Sequence, residues 1–155
     1  MSVRDRIAQF IESEGHCVEI APVGDTPELA EIVFRTRGQT YSVAVSEAEP
    51  DRFSISTAYE VPETVRDHVH TREIFADLAN DYPETRFSLA QDDSIFIATT
   101  EYEAMDVEAF VDAFWQIVGQ LREAGTGAIE RMVDRSESKA AADKFISQFM
   151  KGERQ

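Results

Sequence analysis

Residues 106–123, DVEAFVDAFWQIVGQLRE, constrain the fold more than any other stretch of the chain. Val107, Phe110, Val111, Phe114, Ile117, Val118 and Leu121 recur at helical spacing on a stripe roughly 160° wide. Asp106 suits the N-cap of this helix and Gly125 suits its stop. Glu108, Asp112, Gln116, Gln120 and Glu123 fall on the opposite face. A helix of this kind must lay its apolar side on something, and the chain upstream offers strands.

Upstream, Ser2 followed by Asp5 makes a variant capping box. Val3, Ile7, Phe10 and Ile11 then mark one face of a short helix closing at Gly15. Residues 17–23 alternate as a strand. Segments 32–36 and 40–45 flank Arg37-Gly38-Gln39 as a hairpin with glycine at the turn. In 52–58, Phe53, Ile55 and Thr57 alternate with Ser54 and Ser56, giving a meander with one buried and one wet face. Val65 and Val69 share no face with Ile74, Phe75 and Leu78. The pattern therefore predicts a helical turn over 63–67 and a separate helix over 72–80, capped by Thr71 and ended by Pro83. Phe87 and Leu89, then Ile95, Ile97 and Thr99, form a second hairpin around the acidic turn 91–94.

Past Gly125 the texture changes. Ala128, Ile129, Met132 and Val133 suggest one or two further helical turns. Residues 136–138 are polar, and Ala141, Phe145, Ile146, Phe149 and Met150 mark a last amphipathic helix flanked by Lys139, Lys144 and Lys151. The expected organisation is a domain over 1–125 and a helical extension over 126–155. The expected fold class is α+β, with an antiparallel sheet of about five strands. An N-terminal helix, a middle helix and a long C-terminal helix accompany the sheet.

Composition narrows the function classes. A formal net charge of −15 argues against nucleic acid, because neutralising phosphates requires clustered Lys and Arg. It equally disfavours an anionic membrane surface. Such acidity keeps a surface soluble and self-repelling, as in a salty cytoplasm, or serves to hold an aggregation-prone client in solution. Cys17 is the sole cysteine, so no intrachain disulfide can form. With no secretory leader and no stretch of transmembrane length, the expected compartment is the cytoplasm.

No motif for chemistry emerges. His68 and His70 straddle Val69, and on a helix two such side chains diverge by about 200°, so a metal site is not expected. His16 and Cys17 are neighbours that face opposite ways in a strand, and a buried structural thiol is the expectation at Cys17. Asp92 and Asp93 read as an ordinary polar turn. Gly24, Gly38, Gly125 and Gly127 lack the spacing of a phosphate loop. No catalytic residue, metal or cofactor is assigned. Trp115 lies at the edge of the apolar stripe, as core periphery or as a partner anchor.

The order of these elements is similar to the type III secretion chaperone-like fold, and within it the chain resembles the YbjN-like family of small bacterial proteins. The segments that carry the resemblance are EIVFRTRGQTYSVAVSEAEPDRFSIST, IFADLANDYPETRFSLAQDDSIFIATTEY and the helix DVEAFVDAFWQIVGQL. They lie within residues 2–123, leaving 126–155 outside the match. The resemblance implies a non-enzymatic, usually dimeric cytoplasmic protein that holds an extended client segment along exposed strands and apolar grooves. The leading expectation is a chaperone-like or adaptor module. The tail helix either packs back onto its own domain or docks into a partner or sister subunit, membrane association being disfavoured for a short helix of an acidic protein. In the docking case Trp115, Phe145, Phe149 and Met150 would contact the partner, and Ile74, Phe75 and Leu78 would form a dimer seam. The alternative is a regulatory or sensor-type domain that binds a signalling protein or a small ligand. An uncharacterised hydrolase ranks last.

Overall fold

In the computed structural model, which describes residues 2–153 except 24, 25, 47, 66–70 and 91, the chain opens with helix α1 (Val3–Ser13). The Ser2 hydroxyl accepts the Asp5 N–H at 3.1 Å, and Gly15 leaves the helix at φ 91°, a conformation glycine adopts without Cβ strain. Strands β1 (Val18–Val23), β2 (Thr26–Thr36), β3 (Gln39–Ser46) and β4 (Glu49–Glu60) follow. A 3₁₀ turn (Glu63–Val65) precedes helix α2 (Thr71–Asp81), and strands β5 (Thr85–Ala90) and β6 (Ile95–Glu103) lead into helix α3 (Val107–Glu153).

All six strands belong to one antiparallel sheet in the order β1-β2-β3-β4-β6-β5. That is one strand more than about five. The strand read over 17–23 is β1, which pairs with β2 at the edge of the sheet. The β2–β3 turn is two residues long, since Thr36 pairs with Gln39. Both Arg37 (φ 50°) and Gly38 (φ 78°) are left-handed, as the hairpin turn matched to strand twist requires.

Registry puts Ile32, Phe34, Tyr41, Val43, Phe53, Ile55 and Ala98 on a single face. They join Ile7 and Ile11 of α1 and Phe110, Phe114, Ile117, Val118 and Leu121 of α3 in the main core. The apolar stripe read from the sequence is the buried stripe, with Asp106 capping it through a 2.9 Å bond to the Ala109 N–H. The other face carries Ser42, Ser54, Ser56 and Thr99, half-buried by their own neighbours. No described helix lies over them. Ser56 and Thr99 hydroxyls meet there at 2.9 Å. The period-2 pattern of these strands thus separates a helix-covered face from an open one.

Helix α3 does not stop at Gly125. It runs unbroken for 47 residues, about 70 Å at 1.5 Å per residue. The glycine serves a different purpose. A Cβ there would overlap Cε2, Cζ and the hydroxyl of Tyr59, so its absence lets the helix settle onto β4. Beyond that notch, Ala128 and Met132 are fully buried with Val61, Ile74, Leu78 and Phe96 in a second core cluster. Arg131 pairs with Asp81, Arg135 with Glu73 at 2.7 Å, and the Ser136 hydroxyl donates to the Thr64 carbonyl at 3.2 Å. No break in the helix marks position 125, and the last of these ties to the body is at Ser136.

The Tyr59 hydroxyl is buried without a hydrogen-bond partner among the described residues. Burial first, and the nearby Tyr41 second, push its ionisation up from 10.0 to about 12. The unfolded chain releases this proton near pH 10.0 while the fold retains it. Tyr59 therefore contributes stability that is complete below the unfolded value and is lost as pH rises through the folded one. Tyr59→Phe is expected to gain on the wild type progressively across that alkaline window. Urea melts at pH 9, 10 and 11 measure it, and a constant difference between the two proteins would refute it.

Candidate interaction site

The residues proposed from the sequence divide into three environments. Ile74 is 3 % exposed and Leu78 fully buried, both facing the second core cluster of their own chain. Phe75 is half-buried, with its ring stacked on Phe87 at 5.4 Å. The hydrophobic face of α2 is thus turned onto β5, β6 and α3.

Trp115 sits at the border of the main core. Its ring lies 4.9 Å from Phe114, 6.1 Å from Phe34 and 6.4 Å from Phe10, geometries in which edge and face quadrupoles attract. On its outer side lies His16, ring centroids 5.0 Å apart. Indole and imidazole form one wall of a cleft of about 400 Å³ whose lining includes Arg37, Gly119, Arg122 and Glu14. Sequence reasoning flagged Trp115 but not its partners, because they come from the end of α1, the β2–β3 turn and the next turn of α3. Cys17, expected to be buried, is exposed: β1 begins at Val18, which takes the inward position and leaves the thiol outside the ladder.

The third environment is the end of α3. Residues 141–148 are exposed on every side, with Phe145 at 69 % and Ile146 at 57 %. Adjacent bulky apolar side chains on a helix that has left the body expose a surface monomeric proteins ordinarily cover. Phe149 and Met150 continue the same helix, one turn on from Phe145 and Ile146 by helical spacing, although their side chains lie outside the described residues. The charge distribution changes along with the packing. Lys139, Lys144 and Lys151 are the chain's only lysines, whereas every basic residue before position 137 is an arginine.

Among the described residues no group of three or more His, Cys, Asp or Glu side chains could hold a metal ion; His68 and His70 lie outside them. No described helix is long and apolar enough to cross a membrane.

No protein-family model and no curated protein sequence matches the chain. Solved structures do. An uncharacterised protein from Methanothermobacter thermautotrophicus superposes with a TM-score of 0.64 at 11 % identity, covering 86 % of this chain and 99 % of its own. YbjN of E. coli, described as a proposed transcription regulator, superposes with a TM-score of 0.55 at 11 % identity, covering 87 % of this chain and 96 % of its own. Neither description is that of an enzyme. At such identities the likeness is one of architecture: the chain has a YbjN-like α+β fold.

Proposed function

We propose that this protein is a non-enzymatic binding module, an adaptor or chaperone-like protein that grips another protein with the free end of α3. The observation that carries this reading is the exposure of Phe145 and Ile146 on a helix that extends past Ser136, its last tie to the body among the described residues. A helix whose sequence spaces apolar residues at i, i+1, i+4 and i+5, as Phe145, Ile146, Phe149 and Met150 do, is what a hydrophobic groove in a partner accepts. The flanking lysines favour an acidic rim around that groove. Homodimerisation belongs to the same reading. With Ile74 and Leu78 turned inward, the half-buried Phe75 is the member of the expected seam left near the surface.

The test is affinity capture from the source cell's lysate, comparing wild type with the double variant Phe145→Ser/Phe149→Ser. Because Phe145 is solvent-exposed, the melting temperature should change little; surface substitutions stay within about 0.5 kcal/mol. One dominant protein lost with the variant is the expected result, and retention of the same protein would remove α3 as the gripping element. Truncation at Gly125 is the wrong comparison, because it removes the buried Ala128 and Met132; a stop after Glu137 leaves both in place.

A regulatory role is the second reading. It is favoured by the description of YbjN as a proposed transcription regulator, at the level of shared fold.

A further inference from the structure

The cleft beside Trp115 contains two residues that the fold itself does not explain. Gly119 lies inside α3, where glycine is the least favourable residue after proline. At Gly125 a close neighbour accounts for the missing side chain. At Gly119 a Cβ would meet nothing within 4 Å, so no packing within the chain requires the glycine. Arg37 occupies the first position of a two-residue turn at φ 50°, where asparagine, aspartate or glycine is preferred and a long side chain gains nothing. Both residues line the same cleft. Places where a sequence departs from local preference without a packing gain are where function is expected.

The cleft also brings two arginines together in an acidic protein. In a protein of net charge −15, Arg6, Arg52, Arg86, Arg131 and Arg135 are each paired with a carboxylate. Arg37 and Arg122 have no such pair among the described residues, as is also true of Arg4, Arg35 and Arg72, but these two share one cleft. Arg122 donates Nε–H to the Tyr41 hydroxyl at 3.2 Å, which anchors its guanidinium and leaves the Nη groups available. Glu14 is the one carboxylate among the lining residues. One turn before Gly119 on the same face of α3 stands the Trp115 indole, with the His16 imidazole tilted 48° against it at 5.0 Å.

We propose that this cleft binds a small planar aromatic anion, its carboxylate or phosphate held by Arg37 and Arg122 and its ring laid against Trp115 over Gly119. Guanidinium groups suit such anions because their forked donors match carboxylate and phosphate oxygens. A volume of about 400 Å³ is within the range of small-ligand pockets. The site lies on a different part of the molecule from the free end of α3, so it stands or falls independently of the protein-binding reading.

Trp115 is the chain's only tryptophan, so its emission reports on this cleft alone. The full-length protein is titrated with benzoate, adenosine monophosphate, inorganic phosphate and uncharged adenosine. The expected result is a saturable change with benzoate or adenosine monophosphate at half-saturation below about 1 mM, with phosphate alone and adenosine at least about tenfold weaker. Which of the two aromatic anions binds more tightly distinguishes a carboxylate ligand from a nucleotide. Arg37→Asn, which suits the turn, should weaken binding at least about tenfold. Gly119→Ala should raise the melting temperature by about 2–4 °C, and Gly119→Leu should abolish binding in a protein that still melts cooperatively. No saturable response to either aromatic anion, equal affinity for phosphate or adenosine alone, or undiminished binding by Arg37→Asn would each overturn the proposal.

Discussion

Phe114→Ala should destabilise the protein by about 3–5 kcal/mol, the usual cost of truncating a buried phenylalanine. Phe114 is fully buried and touches four other rings. Its centroid lies 5.7 Å from Phe10, 5.4 Å from Phe34, 5.7 Å from Phe110 and 4.9 Å from Trp115, three of them edge-to-face. These rings belong to α1, β2 and α3, so no single element can relax to refill the cavity. Against a typical stability of about 5–15 kcal/mol, the loss is a large fraction of the total. Chemical denaturation followed by Trp115 fluorescence would measure it. The native emission should also shift to the red as the indole loses its neighbour. A loss below about 1 kcal/mol would place Phe114 outside the core. The contrasting expectation is Phe145→Ala, on the same helix and 69 % exposed, which should stay within about 0.5 kcal/mol.

Gly125→Ala carries the second large effect, and here two terms oppose each other. Alanine is the better helix former by about 1 kcal/mol. The added methyl, however, would overlap the Tyr59 ring at Cε2, Cζ and the hydroxyl. That ring stacks on Phe96 at 5.2 Å and 18°, so it cannot swing aside without opening the second core cluster. Overpacking of this kind costs about 1–3 kcal/mol, and the net result is a loss despite the gain in propensity. Tyr59→Phe should not rescue the variant, because Cε2 and Cζ remain. Tyr59→Val removes the ring, so in the double variant the two losses should add to less than their sum. Additive losses would mean that the glycine and the tyrosine are not in contact. The sign distinguishes two glycines of the same helix: alanine should destabilise at Gly125 and stabilise at Gly119.

Local information sufficed for much of the fold. Period-3.6 spacing marked the buried face of α3 from Phe110 to Leu121, and period-2 spacing marked the inward residues of β3 and β4. Ser2 and Asp106 declared their helix starts through side-chain acceptors three residues from the N–H groups they cap. The mismatch between Val69 and Ile74 separated the 3₁₀ turn from α2. In each case the signal and its structural consequence lie within a few residues of one another, which is the range over which helical and strand periodicity operate.

What spacing could not convey is which distant surfaces meet. Glycine past an amphipathic run reads as a helix stop, yet α3 continues through it, and the glycine instead makes room for Tyr59, far earlier in the sequence. Ile74 and Leu78 form an apolar stripe that suits a dimer seam as well as a core. Only the crossing of α2 with Phe96, Ala128 and Met132 turned it inward. The cleft at Trp115 draws on α1, the β2–β3 turn and α3, and no window of sequence contains all three. The sequence by itself determined the elements, their caps and their apolar faces, because those follow from neighbours along the chain. The tertiary structure decided which glycine is a notch and which an opening, and which aromatic edge becomes a cleft, because those depend on contacts between residues far apart in sequence.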